Sequence, residues 1–415
     1  MILLYAAPDC HARRGGALQP KRAKAKRPAL KTVDMGNRTM NRQQALQAAS
    51  AKDARHYGMD LLRILSMFSI VLLHVLGEGG VGQAVESFSR NYYAYLSLRF
   101  LNEFAVDAYG MITGYVMYKS RPKLSRLLML WLEVLFYSAG ISVLFMLFQR
   151  SSVPVLRAEF YSMLLPITGG RYWYMSCYFC LFLLIPVLNA GIEKLTRAEM
   201  RNLLASLFLL ICVFGSLNTS RKDPFCMNYG FSTAWLCILY LAGAFCSKYQ
   251  IHTRIRPWQA LLGIAVCVLG TVAFKSWMDH NRWRLSYTLD WMLMSNVSIT
   301  YTLTGFFMLN LFARVRPGET ARRIIALLSP LSLGVYLIHV HPLIWSQFIT
   351  SRFAWLAGSH WLLMLLQAAA IALCIFAVCL SIDWIRAFLF RLLRLEPLCR
   401  HVERLLTSIR LAGDH

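Results

Sequence analysis

Acidic residues are scarce in this chain. Asp and Glu number 20 against 44 Lys and Arg, and charged residues of either sign fill only 15% of 415 positions. A soluble domain carries nearer a quarter of its residues charged. With 57% hydrophobic and 13% aromatic residues, too little polar surface is left to face water on all sides, and the bilayer is the expected solvent. Strand patterning is absent too: the apolar segments lack the ten-residue alternation of a membrane barrel, and their length and their Leu, Phe and Met content point to helices. No loop between the first and last apolar segment is long enough to fold by itself, so one membrane domain over residues 58–385 is expected. No cleavable secretory signal is expected. The apolar opening Ile2 to Ala7 is too short for a signal core and its charges follow rather than precede it, so the first transmembrane helix is expected to do the targeting, with Met35 and Met40 as alternative translation starts.

The net charge of +24 would suggest nucleic acid in a soluble protein, but its distribution removes that partner. Residues 1–57 hold twelve Lys and Arg against three Asp, concentrated between Lys21 and Lys31, and contain no apolar stretch able to fold. They are expected to form a disordered, basic cytoplasmic tail. A second basic cytoplasmic tail, 386–415, carries Arg386, Arg391, Arg394, Arg400, Arg404 and Arg410. Most of the eleven cysteines fall within or beside apolar spans and read as small packing residues. Cys177 and Cys180 have a metal-like spacing, yet no second pair accompanies them, so no metal site is expected.

Apolar windows predict ten transmembrane helices, near 59–77, 98–118, 126–148, 172–189, 202–218, 230–247, 257–275, 291–312, 328–349 and 361–385. With the N-terminal tail inside, four short inner loops hold fourteen Lys and Arg, and the five outer loops, longer in total, hold eleven. The positive-inside rule therefore agrees with an all-α integral membrane fold of about ten helices and both termini cytoplasmic.

Ionisable side chains inside a membrane helix are costly unless paired or wet, which makes each one a functional candidate. In the first helix Asp60 and Arg63 are three apart and share a face. His74 follows Arg63 by eleven residues, three turns plus about 20°, on that same face and about 16 Å further along the axis. An interfacial Asp–Arg pair with a hydrogen-bonded core histidine is the plainer reading of the same stripe. Ser329-Pro330 resembles an N-cap with proline at the first helical position. From that start Ser332, Tyr336 and His339 share a face, His341 points nearly opposite, and His339 lies about 15 Å deep, where it could meet His74. A third cluster, Gly169 to Tyr174, opens the fourth helix with aromatics that suit an interfacial belt. Asp107 and the Gly110 to Tyr115 segment lie in the second helix, where paired glycines permit close approach of a helix or a ligand. Glu133 and Asp290 receive no role.

Taken in order, these residues resemble the membrane-bound acyltransferase family 3, bacterial enzymes that O-acylate surface polysaccharides and related acceptors. That family shows Asp-x-x-Arg and a following His in its first helix, matched here by Asp60, Arg63 and His74. A hydroxyl-Gly-aromatic turn followed by basic residues is matched by Thr113-Gly114-Tyr115 with Arg121 and Arg126. The Tyr-Trp-Tyr element is Tyr172-Trp173-Tyr174, and the late Ser-x-Gly-x-Tyr-Leu-x-His element runs from Ser332 to His339. The resemblance covers residues 55 to about 385. It departs where Thr113 replaces the usual Ser, which keeps the hydroxyl, and where no fused soluble domain follows the last helix.

The resemblance implies a multi-pass protein of the bacterial cytoplasmic (inner) membrane, no bound cofactor, and acyl-CoA, most often acetyl-CoA, as co-substrate. It implies a hydroxyl of a cell-surface glycan or its precursor as acceptor. Arg63, Arg121 and Arg126, with Thr113 and Gly114, are then expected at the acyl-CoA; guanidinium groups suit its phosphates. His74 is expected to act as general base, or to accept the acyl group itself, because imidazole does either near neutral pH. Asp60 would orient Arg63, His339 and Tyr336 would position the acceptor or an oxyanion, and Trp173 and Tyr174 would stack on a sugar. A transporter or flippase for a lipid-linked sugar is the rival reading, although the internal repeat common in such proteins is absent. A non-catalytic scaffold is a third. Nothing in the chain selects an oligomeric state.

Overall fold

Several helices begin where a hydroxyl can satisfy the first free backbone N–H groups. Ser89 accepts from the Tyr92 N–H at the start of the helix Arg90–Asn102, Ser232 from Trp235, and Ser298 from Tyr301. Thr196 and Glu199 form a reciprocal capping box. The structure, a computed structural model, describes residues 55–148, 157–217, 222–281 and 293–413. The expected tail over residues 1–57 lies almost wholly outside the described residues, as does Asp290.

The described chain is all-helical. In order it forms α1 (Tyr57–Leu76), α2 (Arg90–Asn102), α3 (Ala105–Met117), α4 (Leu124–Phe148), α5 (Arg157–Leu164), α6 (Trp173–Lys194) and α7 (Arg197–Leu207), which a π-helical stretch Phe208–Phe214 continues. There follow α8 (Thr233–Lys248), α9 (Pro257–His280), α10 (Ile299–Phe312), α11 (Glu319–Leu328), α12 (Ser332–His339), α13 (Trp361–Leu392) and α14 (Leu395–Gly413). Each of the ten expected windows overlaps a helix. Among the described residues six helical segments are long and apolar enough to cross a membrane, Tyr57–Ala84, Leu124–Phe148, Trp173–Lys194, Pro257–His280, Glu319–His339 and Trp361–Leu392, with α8 and α10 apolar but shorter.

The helices run up and down, which gives the bundle two ends. At one end Asn189 donates to the carbonyls of Met117 and Ser120, Lys248 to those of Ile192 and Leu195, and Arg314 to that of Ile255. This end also carries Lys119, Arg121, Lys123 and Arg126, and is called the basic end below. At the far end Tyr92 donates to Asp279 at 2.6 Å, and Asn91 to the carbonyls of Ala357 and Ser359.

The polar helices are the inner ones. Within the span of α1, 56% of residues are buried, and 50% within Glu319–His339, against 22–28% for α4, α6, α9 and α13. The outer helices instead expose Leu183, Val187, Leu269 and Leu366, as a lipid-facing surface requires. The Asp60–Arg63–His74 stripe and His339 are thus held on the two most enclosed spans.

Two expectations for the ninth span are corrected. Ser329 is not a helix start: the helix begins at Glu319 after Gly318, and Pro330, which has no N–H, turns it through the 3₁₀ segment Ser329–Leu331 into α12. Nor does the helix run to 349; it ends at His339, before the break at His341-Pro342. His339 therefore lies twenty residues past the start, about 30 Å of rise rather than about 15 Å, and close to the far end. The last expected span also extends past 385, to Leu392, and the expected tail contains α14.

Candidate active site

α1 carries Asp60, Arg63 and His74 along one face, as its spacing requires. Near the basic end Arg63 Nη1 donates to Asp60 Oδ1 at 2.9 Å, and the Ser329 hydroxyl donates to the same oxygen at 3.0 Å. Ser332 donates to the Ser329 carbonyl at 2.8 Å and lies 3.2 Å from the Tyr109 hydroxyl, which is then the donor of that pair. The hydroxyl that resembled a helix cap thus ties α1 to the ninth span. Asp60 and Ser329 are both buried.

Toward the far end His74 meets His339, with Nδ1 of the first 3.0 Å from Nε2 of the second. The Nδ1 of His339 lies 2.6 Å from the Val335 carbonyl. A carbonyl only accepts, so this Nδ1 carries the proton, and Nε2 of a neutral His339 is an acceptor. His74 Nδ1–H must then be the donor, and the lone pair of His74 resides on Nε2. Trp345 packs against the His74 ring in a T-shaped arrangement, with centroids 4.7 Å apart at 80°, so the imidazole is fixed on two sides.

His74 lines a cavity of about 300 Å³. Tyr336, Trp173 and Tyr174 share the wall, together with Arg99, Glu103, Asn296 and Phe231. Trp173 stands edge-on to Phe231 at 4.6 Å and to Tyr174 at 5.5 Å. His339, 1% exposed, stays behind His74 rather than in the wall. Arg99 Nε donates to Glu103 at 3.1 Å and its Nη1 to Tyr95 at 2.7 Å. The sequence reading missed this pair, although two ionisable residues four apart in an apolar window were a legible signal.

A second cavity, about 1110 Å³, opens at the basic end between α4, α6 and α14, and Arg126 lines it with Lys123 and Tyr178. Arg63 is close enough to act electrostatically on Tyr109, Tyr174 and Tyr178. Tyr174 stacks on Tyr178 at 6.2 Å and meets Tyr109 at 6.0 Å. Aromatic side chains therefore bridge the two cavities, since Tyr178 lines the one and Tyr174 the other.

Other expected residues lie elsewhere. Arg121 is exposed and lines neither of these cavities. Thr113 donates to the Tyr109 carbonyl within α3, and Gly114 is pressed against α8, where an added Cβ would stand 1.8 Å from the Tyr240 carbonyl oxygen. His341, fully buried, turns to another cluster, with Nε2 3.1 Å from Arg171 and 3.3 Å from Ser142. Arg171 also donates to Ser162 at 2.9 Å, which pins the turn before Tyr172. Glu133, given no role by the sequence, pairs with Arg386 at 3.0 Å. Among the described residues no three His, Cys, Asp or Glu side chains gather as metal ligands.

A family model described as an acyltransferase domain, that of acyltransferase family 3, matches residues 56–384. No curated protein and no solved structure matches the chain. The match takes in α1 to nearly the end of α13, and so both histidines and every residue of the smaller cavity. This multi-pass membrane protein belongs to the acyltransferase 3 family.

Proposed function

We propose that the protein transfers an acyl group, in the first instance acetyl, from acyl-CoA to a hydroxyl of a cell-surface glycan or its precursor. The observation that carries this reading is the histidine pair: an imidazole with its lone pair on Nε2 lines a cavity, and a second imidazole fixes its tautomer from behind. That is the requirement for a general base. His74 Nε2 takes the acceptor hydroxyl proton as the oxygen attacks the thioester carbonyl. The tetrahedral intermediate collapses with cleavage of the C–S bond, and the CoA thiolate leaves with the proton from His74. Tyr336, on the same wall, is suited to donate to the oxyanion.

The aromatic wall of Trp173, Tyr174 and Phe231 suits a sugar face, and the neighbouring Arg99, Glu103 and Asn296 suit its hydroxyls. Arg126 and Arg63, on the side of the basic end, suit a phosphate-bearing donor. Under the positive-inside rule the basic end is cytoplasmic, with ten spans and both termini inside, in a bacterial inner membrane. Donor and acceptor then approach from opposite ends.

The test is thiol release from acetyl-CoA by purified protein in nanodiscs, comparing wild type with His74→Ala and Arg63→Ala. Turnover by wild type, with binding but no turnover in His74→Ala and weakened binding in Arg63→Ala, is expected. A folded wild type that neither binds nor consumes acetyl-, propionyl- or succinyl-CoA would sink the donor assignment and favour transport.

A further inference from the structure

The larger cavity has a wall outside the acyltransferase domain. α14 lies wholly beyond residue 384, where the family match ends. After α13 the chain turns at Arg394 with φ 52°, and α14 packs back on the start of α4. Two features dock it. Cys399 is buried at 3% exposure. The Glu403 carboxylate accepts from the Ser125 side chain and from the backbone N–H groups of Ser125 and Leu124, which holds its pKa below the usual carboxylate range. These are the free N–H groups that open α4, where a negative charge is favourable.

Docked in this way, α14 contributes Arg400 and Arg404 to a cavity that already holds Lys123, just before α4, and Arg126 on its first turn. All four are exposed. Of the acids on this wall, Glu133 pairs with Arg386, Glu403 sits on the α4 N-terminus beside Lys123, and Glu396 pairs with Arg400 itself. The Glu396–Arg400 pair is about 60% exposed on both sides, and an exposed pair of this kind holds its partners weakly enough for a stronger anion to compete. At about 1110 Å³ the cavity is as large as the larger ligand sites of proteins. Tyr178 on its wall stacks on Tyr174 in the wall of the His74 cavity.

We infer that α14 is the outer wall of the site for the nucleotide phosphates of the acyl-CoA donor, with Arg400 and Arg404 completing a cationic set begun by Lys123 and Arg126. The inference rests on the acyl-CoA reading and adds to it: the donor site is closed by a segment that the catalytic domain does not include. Guanidinium groups on two separate helices grip a polyphosphate from two sides, and the pantetheine arm is left pointing along Tyr178 toward His74.

The experiment measures coenzyme A binding calorimetrically to the full chain in phosphatidylcholine nanodiscs. The double variant Arg400→Ala/Arg404→Ala should bind about tenfold more weakly or worse, since charge-assisted hydrogen bonds to phosphate are removed. Arg400→Lys/Arg404→Lys should recover most of the affinity, and the difference should shrink with salt. Equal affinity in wild type and the double Ala variant overturns the inference while leaving the donor reading intact. A wild type that binds no coenzyme A overturns both. Repeating the titration with phosphatidylglycerol in the disc separates the other source of phosphate: if the double variant changes only competition by that lipid, the arginines hold lipid headgroups and the inference falls.

Discussion

His339 faces the Val335 carbonyl with one ring nitrogen, at 2.6 Å, and His74 with the other, at 3.0 Å. The first contact dictates the second. Because the carbonyl demands a proton on Nδ1, the remaining nitrogen can only accept, and His74 is held with its Nδ1–H toward it. A backbone oxygen on α12 thus sets which nitrogen of an α1 residue is basic.

On the proposed reading of His74 as general base, removing His339 should impair that base without removing it. In His339→Ala the His74 ring is free to sample the wrong tautomer, and the expected loss in kcat is about 10²-fold, the low end of what general bases contribute, with the KM for acyl-CoA unchanged. His339→Gln, which can place a carbonyl oxygen near the lost Nε2, should recover part of it. Steady-state kinetics on both variants checks this. An unchanged kcat in His339→Ala, or a loss that appears only in KM, would contradict the assignment.

Gly114 and Gly243 make a reciprocal contact. A Cβ on the first would lie 1.8 Å from the Tyr240 carbonyl oxygen, and one on the second 1.8 Å from that of Met111. Both obstacles are backbone, which cannot rotate away as a side chain can. Gly114→Ala and Gly243→Ala should each destabilise the protein by about 1–3 kcal/mol or more, read as a fall in the thermal unfolding midpoint in detergent. The comparison also assigns Gly114 a role. Equal losses in both mean that it serves the α3–α8 packing, whereas reduced acyl-CoA affinity in Gly114→Ala alone would return it to the donor site.

The parts of the site that were legible in the sequence are those written within one helix. Asp60, Arg63 and His74 obey a single period along α1, and Ser332, Tyr336 and His339 do the same across α12, so their shared faces followed from 100° per residue. Ser329 misled because serine before proline has the chemistry of a cap. Only the tertiary structure shows that Glu319 to Leu328 continues the same helix and that the hydroxyl is taken by Asp60. The depth of His339 was misjudged for that reason. Pairings such as Glu133 with Arg386, or Arg171 with His341, join distant segments and leave no periodic trace. Arg99 and Glu103 were legible and overlooked at the edge of a span.

The first of these long-range pairings, Glu133 with Arg386, supports a prediction about stability. Arg386 donates to both oxygens of Asp383, at 3.0 and 2.7 Å, and also pairs with Glu133 on α4 at 3.0 Å. Tyr137 donates to Asp383 at 2.7 Å. Gly334 of α12 makes room for this carboxylate, since a Cβ there would stand 2.1 Å from Asp383 Oδ1. One guanidinium therefore serves the buried Asp383 and the half-buried Glu133 and joins α4 to α13 beside α12. Arg386→Met keeps the bulk but leaves Asp383 and Glu133 facing each other without a cation. Breaking a buried pair in this way costs about 3–5 kcal/mol, so Arg386→Met should unfold markedly earlier in a detergent melt. Asp383→Asn/Glu133→Gln/Arg386→Met, which removes every charge of the group, should recover a good part of that loss. If Arg386→Met melts with the wild type, the network is a surface decoration of the bundle and not one of its internal ties.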